Sequence, residues 1–207
     1  MSNLPILVLQ MQRMGDLVLS FPLLARLRGR YPDNPIWVTG EEHFFKPLME
    51  LSPTATYFNY QNAPVEPGLK FHLVVNLSHR PEAAALAGKA ETEELVGPYR
   101  DKAGALRIRG DYQLYRTSLT HNNHLNRFHW ADLNSLDVIP TTRMQYTVWP
   151  KPKSPDPARV GKGARIGLFL GASEPAKHPD AAFWTSLTKM LLAAAHKTAL
   201  LGAEAER

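Results

Sequence analysis

Residues 5–27 read PILVLQMQRMGDLVLSFPLLARL and decide how the rest of this 207-residue chain is interpreted. The continuous apolar run Ile6–Leu9 is short and partly β-branched, which predicts a strand buried on both faces. A turn with one glycine and one aspartate, Gly15 and Asp16, follows the strand and precedes the apolar segment Leu17–Leu27. Ligands bind at the carboxyl ends of strands in open α/β sheets, so Asp16 is placed either to cap a helix or to act on a ligand.

Pro22 lies inside the apolar segment and leaves two alternatives for the helix there. Proline lacks an N–H group and is tolerated best in the first turn of a helix. Either Asp16 opens a short turn and the main helix begins near Ser20-Phe21-Pro22, or one long helix is kinked at Pro22. In both cases the turn-forming sequence Tyr31–Pro35 ends the helix.

Strand-like runs alternate with helical segments over the first 149 residues. The further strands are predicted at Ile36–Thr39, Ala55–Tyr60, Phe71–Leu77 and Glu94–Pro98, and the further helices at His43–Leu51 and Pro81–Ala87. This alternation predicts βαβ units and a parallel sheet. Residues 100–120 are expected to be basic and irregular, and Asn126–Leu136 is expected to be helical.

The composition changes at Trp149–Pro157, where four of nine residues are proline, which is typical of an extended linker. The opening pattern then recurs as a strand at Arg165–Leu170, a turn at Gly171–Ser173, a helix at Phe183–Ala195 and a strand at Thr198–Gly202. We expect a Rossmann-like domain at 1–149, a linker at 150–164 and an incomplete second domain at 165–207. A single βαβ unit cannot bury both faces of its strands.

The amino-acid composition excludes some kinds of function and favours others. Apolar residues make up 44% and charged residues 21%, which fits a folded domain, and the net charge of +5 suits an anionic partner. The absence of cysteine excludes a disulfide scaffold and a cysteine nucleophile. Arginines do not interleave with aromatic residues, so nucleic acid is disfavoured. With no signal peptide or bilayer-length apolar run recognised, we expect a cytoplasmic protein that can lie at the periphery of the inner membrane.

Spacing alone does not assign chemistry to the candidate residues. A carboxylate in the first helical turn more often satisfies N–H groups than acts as a general base, and this holds for Asp16. Gly15 alone does not make a G-x-G-x-x-G fingerprint, which disfavours a nicotinamide-dependent enzyme. The loop Gly171–Lys177 can offer N–H groups and a lysine to a phosphate, but it is not a P-loop.

Histidines and arginines cluster in the second half of the first domain. His121, His124 and His129, with Asp132, are interpreted as surface or capping residues and not as metal ligands. Six arginines between residues 80 and 127 are mild support for an anionic ligand. They are Arg80, Arg100, Arg107, Arg109, Arg116 and Arg127.

Three stretches of the chain resemble the bacterial heptosyltransferase family (glycosyltransferase family nine), which builds the inner core of lipopolysaccharide. They are the strand, Gly-Asp turn and proline-bearing helix at residues 6–32, the buried strand Leu73–Leu77, and Ile166–Lys177 together with Leu200–Gly202. No single motif is diagnostic, but their order and spacing over the whole chain are fairly specific.

The resemblance implies an α/β fold of the GT-B type, with the acceptor on the N-terminal half and the nucleotide-sugar on the C-terminal half. It implies inverting transfer of heptose, with Asp16 as the base. The residues implied for the donor phosphates are Gly171, Ser173 and Lys177. Those implied for an anionic lipopolysaccharide core acceptor are Gly15, Arg80 and Arg127. The co-substrate would be a nucleotide-sugar, expected to be ADP-heptose, with no other cofactor and no metal.

The chain departs from the family pattern in two places. His178-Pro179 follows Lys177 where the family has a basic residue, tryptophan and proline. The later Asp-Thr-Gly…His segment of the family has no counterpart before Arg207. We therefore expect a donor domain that is truncated and a chain that alone transfers sugar weakly or not at all. The alternative is a non-catalytic module that binds an anionic glycolipid or a protein partner.

Overall fold

The computed structural model describes residues 3–119, 123–140, 165–171 and 177–202. The chain divides into two compact units, Met1–Lys151 and Pro152–Arg207. The linker expected at residues 150–164 lies outside the described residues. Within the described ranges no helix is long and apolar enough to cross a bilayer.

The helices and strands alternate along the chain. The strands of the first unit are β1 (Ile6–Leu9), β2 (Ile36–Gly40), β3 (Thr56–Asn59), β4 (Lys70–Asn76), β5 (Glu91–Arg100) and β6 (Leu106–Arg109). Its helices are α1 (Met14–Val18), α2 (Phe21–Arg30), α3 (Glu42–Phe45), α4 (Pro81–Lys89), α5 (Asp111–Ser118) and α6 (Trp130–Leu133). The second unit contains β7 (Arg165–Phe169), α7 (Ala181–Ala193) and β8 (Lys197–Leu201).

The described strands of the first unit form one sheet in the order β3-β2-β1-β4-β5-β6, in which β6 is antiparallel to β5 and the other pairs are parallel. Strand β1 lies in the middle, where Ile6 pairs with Ile36 on one side and with Leu73 on the other. All four residues of β1 are fully buried. The predicted α/β class with a parallel sheet is confirmed, because only a strand covered on both faces accepts a continuous apolar run.

Successive residues of β1 supply two different hydrophobic layers. Val8 packs in the layer that contains Leu24 and Leu27 of α2. Leu9 packs in the layer on the other face, together with Phe71 and Ala87 of α4. The period of two along a strand sends neighbouring side chains to opposite faces, so four residues anchor helices on both sides of the sheet.

The helical segment after β1 is divided before Pro22. Helix α1 ends at Val18, and α2 begins at Phe21 with Pro22 in its first turn. The hydroxyl of Ser20 donates a hydrogen bond to the carbonyl of Leu17 at 2.6 Å and closes the junction. The first of the two alternatives is therefore correct, because the first turn has no need of the missing N–H group.

Two expectations for residues 100–136 are wrong. Residues 100–120 are not irregular, since they contain β6 and α5. The carboxylate of Asp101 accepts hydrogen bonds from the N–H groups of Ala103 and Ala105 at 3.0 and 2.9 Å and thereby forms the turn that pairs β6 with β5. The expected helix Asn126–Leu136 is reduced to α6, because the side chain of His129 caps the helix just before Trp130.

The second unit contains the predicted βαβ arrangement. Strands β7 and β8 are parallel, with Ile166 opposite Thr198, and α7 connects them. Leu168 is buried, whereas Phe169, Met190 and Leu200 remain mostly exposed. This pattern agrees with the expectation that one such unit leaves apolar surface uncovered.

Candidate active site

A cleft of about 570 Å³ opens at the carboxyl ends of β1 and β4, the two central strands. Gln12, Arg13 and Asp16 line it from the loop and short helix after β1. His79, Arg80 and Pro81 line it from the loop after β4. This edge of a parallel sheet is where α/β proteins bind ligands, so the cleft is the candidate site of the first unit.

Asp16 is held in the cleft by its backbone. The buried side chain of Gln10 donates a hydrogen bond from Nε2 to the carbonyl oxygen of Asp16 at 3.0 Å. Asp16 is the third residue of α1, whose N-cap is Arg13, and its side chain is half-buried. It is therefore not the N-cap itself, but it remains the acidic residue of the first turn of α1, where a carboxylate favours the helix dipole, and it also lines the cleft.

Gly15 does not occupy a position that requires a glycine. It lies in α1, it is exposed, and a Cβ atom built on it would meet no atom within 4 Å. A close turn of the backbone does not require a glycine at this position. What Gly15 leaves beside Asp16 is open space.

The second side of the cleft is organised by Asn76, the fully buried last residue of β4. Its Nδ2 donates to the carbonyl of Pro98 at 2.7 Å, and its Oδ1 accepts from the N–H of Ser78 at 2.9 Å. The N–H of Arg80 in turn donates to Ser78 Oγ at 3.2 Å. These bonds fix the backbone that presents His79 and Arg80 to the cleft.

Arg80 is ion-paired across the sheet edge. Its guanidinium is bonded to the carboxylate of Glu41, which follows β2. Glu41 also lines a second cleft, of about 470 Å³, at the ends of β2 and β3, where Asn59 and Tyr60 are among the other lining residues. The pair therefore stands between the two clefts, and the positive charge predicted at Arg80 is already partly compensated.

Arg116 is a residue of this site that the sequence did not single out. It is 3% exposed, and its Nη2 donates to the carbonyl of Leu77 at 2.6 Å and to Gln12 Oε1 at 3.4 Å. Its guanidinium also lies over the ring of Trp130, 5.4 Å from the centroid. In the sequence it was one of six scattered arginines in a segment expected to be irregular, and no residue pattern indicated that it would be buried behind the cleft.

Burial lowers the pKa values of two side chains at this site, Arg116 and His79. Burial lowers the pKa of Arg116 to about 10, and the attraction of the Asp16 carboxylate opposes that change. Desolvation, together with the nearby Arg116 charge, lowers the pKa of His79 to about 4. Although His79 is partly exposed at the cleft, it is therefore a neutral hydrogen-bonding group at pH 7.

The remaining arginines do not form one basic face. Arg127 is exposed, its N–H donates to the hydroxyl of Tyr115 at 3.4 Å, and it does not line the Asp16 cleft. Arg107 pairs with Asp101 on the β5–β6 hairpin, and Arg109 lies over the Tyr99 ring of the same hairpin. Only part of the predicted cluster, Arg80 and Arg116, is brought to the site.

The residues predicted to bind donor phosphates belong to the second unit. Gly171 is half-buried after β7, Lys177 is exposed before α7, and Ser173 lies outside the described residues. Asp180 caps α7 by accepting a hydrogen bond from the N–H of Phe183 at 2.7 Å. That cap already occupies a helix N–H group, so a phosphate here would depend on the loop and on Lys177.

A cleft of about 630 Å³ lies beside the start of α7 in the same unit. Leu170, His178 and Trp184 are among its lining residues, with Leu200 from β8. Its lining is predominantly apolar. A ring system would suit this surface better than a phosphate.

The histidines considered as metal ligands have other roles or lie elsewhere. His129 Nδ1 accepts a hydrogen bond from the N–H of Ala131 at 3.2 Å, which confirms the capping interpretation for this residue. His124 is exposed, and His121 lies outside the described residues. Over the ranges that the structure describes, no three histidine, aspartate or glutamate side chains gather as a metal site would require.

Comparison with known proteins gives matches at the level of structure. No protein-family model and no curated protein sequence matches the chain. A crystal structure of a glycosyl transferase family 9 protein from Veillonella parvula is 18% identical with a TM-score of 0.66, covering 99% of this chain and 66% of that one. Heptosyltransferase WaaC of E. coli with ADP is 14% identical with a TM-score of 0.60, covering 98% and 69%.

The fold is that of these glycosyltransferases. WaaC with ADP-2-deoxy-2-fluoro heptose gives a further match, with 15% identity and a TM-score of 0.55. The chain spans just under two thirds of the length of the Veillonella protein, 66%. At these identities the likeness extends to the α/β architecture of the GT-B type and not to individual site residues.

Proposed function

We propose that this chain is an inverting glycosyltransferase that resembles ADP-heptose:lipopolysaccharide heptosyltransferases and adds heptose to the inner core. The observation that carries the proposal is the position of Asp16. It is the half-buried carboxylate of a cleft at the carboxyl edge of the central strands, in a fold shared with such transferases over 98–99% of the chain. The proposed partners are a nucleotide-sugar and an anionic core acceptor.

In the proposed reaction, Asp16 acts as general base. Its carboxylate takes the proton of an acceptor hydroxyl as the acceptor oxygen attacks the anomeric carbon of the sugar. The bond from that carbon to the diphosphate breaks, the configuration is inverted, and the diphosphate leaves with the bonding electrons. On the donor side, Lys177 and the N–H groups of the loop that begins at Gly171 would stabilise the negative charge that develops. The scheme uses no step on a metal.

The charges in the cleft suit an acceptor that carries carboxylate or phosphate groups. Arg13 and Arg80 line the cleft beside Asp16, and Arg116 lies behind it. His79 contributes a neutral ring that can bond a hydroxyl. An acceptor with both hydroxyl and anionic groups would satisfy these side chains together.

The test compares two aspartates in one assay. Asp16→Asn is compared with Asp33→Asn, an exposed aspartate in the turn after α2. ADP-heptose and a lipopolysaccharide core acceptor are supplied, and transfer is followed by mass spectrometry, on the 207-residue chain and on the longest polypeptide that its gene encodes. We expect Asp16→Asn to lower transfer by about 10²- to 10⁴-fold with acceptor binding kept, and Asp33→Asn to have no effect.

Binding titrations separate this proposal from a binding module. If the longest polypeptide binds the acceptor but neither binds ADP nor transfers sugar, the module is the better description. If it transfers sugar and Asp16→Asn transfers at the normal rate, the enzyme class stands and the assignment of the base is wrong.

A further inference from the structure

Arg116 is a buried charge that the proposed reaction does not use. Arginine is almost never fully buried without a compensating partner. Here the Nη atoms donate to Leu77, Gln12 and Gln113, all of them neutral acceptors. Its buried Nε has no hydrogen-bond partner among the residues that the structure describes. Only the more distant attraction of the Asp16 carboxylate offsets this buried charge, which forms no direct ion pair within the described residues. A buried cation held in this way is costly, so it calls for a role beyond packing.

The contacts of Arg116 join the loops after β1 and β4, which both line the Asp16 cleft. Arg116 lies on α5, Leu77 directly follows the central strand β4, and Gln12 lies in the loop after β1. Trp130, whose ring lies beneath the guanidinium, begins α6. Gln113 lies one turn earlier on α5, and its Oε1 accepts a hydrogen bond from Arg116 Nη1 at 3.2 Å. Its Nε2 donates to the carbonyl of Leu133 at 2.8 Å. The planar fork of arginine suits such a set of acceptors, and a lysine would not reach them together.

We propose that Arg116 is the positioning residue of this cleft. It ties the loop that leads to Asp16 to the segment after β4 that leads to His79, and it supplies a buried positive charge close to both side chains. The guanidinium attracts the Asp16 carboxylate and repels a proton on His79. Burial is the main reason that the His79 ring is neutral, and the charge of Arg116 acts in the same direction. A base and a neutral hydrogen-bonding group side by side are what recognition and deprotonation of a hydroxyl require.

Burial is the larger cause of the low pKa of His79, and the positive charge of Arg116 is the smaller one, which a substitution at Arg116 would remove. The other charged groups around His79 are Asp16 from α1, Arg13 before α1, and the neighbouring Arg80 with its partner Glu41. Asp16 and Glu41 would favour a protonated ring, whereas the arginines oppose it. Removing Arg116 takes away one positive charge that disfavours a protonated ring, so the pKa of His79 should rise.

The experiment uses the 207-residue chain and needs no turnover. The ring of His79 is titrated by NMR, with His79→Asn identifying its signals. We expect it to titrate near pH 4 in the unchanged chain and to move toward its ordinary value of 6.5 in Arg116→Met. Arg116→Lys should keep the low pKa of His79, because it keeps the positive charge. It should nevertheless shift the backbone signals of Gln12–Asp16, because lysine lacks the forked guanidinium that bonds Gln12 and Leu77 together.

Arg109→Met is the matched control, since Arg109 is an exposed arginine 5.8 Å from the Tyr99 ring.

A second variant covers the case in which Arg116→Met does not fold. Gln12→Glu has the same shape and places a carboxylate against Arg116, which compensates the charge without leaving a cavity. It too should move the His79 titration upward. If Gln12→Glu and any folded Arg116→Met leave His79 unchanged, or if Arg109→Met moves it equally, Arg116 does not control the cleft.

The link of Arg116 to catalysis rests on the proposed function, and its link to His79 does not. If no sugar is transferred by any form of the protein, the role of Asp16 as a base fails while the titration still decides the role of Arg116. If transfer occurs, Arg116→Lys should lower kcat more than it changes KM for the acceptor, because it misplaces Asp16 without removing charge.

Discussion

The carboxylate of Glu41 is bonded to the guanidinium of Arg80, and this pair stands between the cleft that contains Asp16 and the cleft at the ends of β2 and β3. Glu41 is the less exposed partner, with 20% of its side chain accessible against 41% for Arg80. An anionic ligand that uses Arg80 must therefore compete with a carboxylate that is already in place.

Glu41→Gln should strengthen the binding of an anionic acceptor. The amide keeps the shape and a weaker hydrogen bond but releases the full charge of Arg80. Partly exposed ion pairs are worth up to about 1 kcal/mol, so we expect affinity to rise by about two- to fivefold at low salt. Calorimetric titration with the acceptor measures the affinity. Glu42→Gln is the control, because the partner of Glu42 is the exposed Lys46. Unchanged affinity in Glu41→Gln would mean that Arg80 does not bind the acceptor.

His79 should make the folded state sensitive to acid. Its pKa is about 4 in the folded chain against 6.5 ordinarily, so the unfolded chain takes up the proton first. The stabilisation from a neutral His79 is complete above pH 6.5 and is lost as the pH falls toward 4. Urea unfolding of His79→Asn should show a smaller loss of stability over that window, with the exposed His124→Asn as control. An equal loss in both variants would contradict this prediction.

Asn76→Ala should destabilise the first unit by about 2–4 kcal/mol, because the carbonyl of Pro98 and the N–H of Ser78 would both lose buried partners. Asn59→Ala is the comparison. Its side chain accepts one exposed hydrogen bond from the N–H of Gln61, and its loss should cost about 1 kcal/mol or less. Urea unfolding gives both values, and similar costs would show that Asn76 does not organise the loop after β4.

Gly97→Ala should be far more harmful than Gly104→Ala. Both glycines have a positive φ, 102° and 80°, so both substitutions carry the conformational cost of about 1–2 kcal/mol. A Cβ on Gly97 would lie 2.0 Å from the carbonyl oxygen of Asn76, whereas one on Gly104 would meet nothing within 4 Å. The clash should add about 2–3 kcal/mol at Gly97. Thermal unfolding of both variants measures this: the midpoint should fall further for Gly97→Ala than for Gly104→Ala, and the difference reports the close contact between Gly97 and the Asn76 carbonyl.

The elements that the sequence predicted well are those whose cause is local. The buried run Ile6–Leu9 is a strand with the predicted bounds, and Pro22 begins the second helix as its missing N–H group demands. The elements predicted poorly depend on single side chains that act over short distances. Asp101 forms the β5–β6 turn, and His129 delays the start of α6.

The sequence by itself determined the α/β architecture and the placement of Asp16 after the central strand, because hydrophobic periodicity and turn chemistry are written into neighbouring residues. Only the tertiary structure decided which arginines serve the cleft. Arg116 is 39 residues from Leu77 and 104 from Gln12, yet its guanidinium bonds both. Burial of a charge depends on acceptors that the fold gathers from distant elements, and no local pattern encodes that gathering.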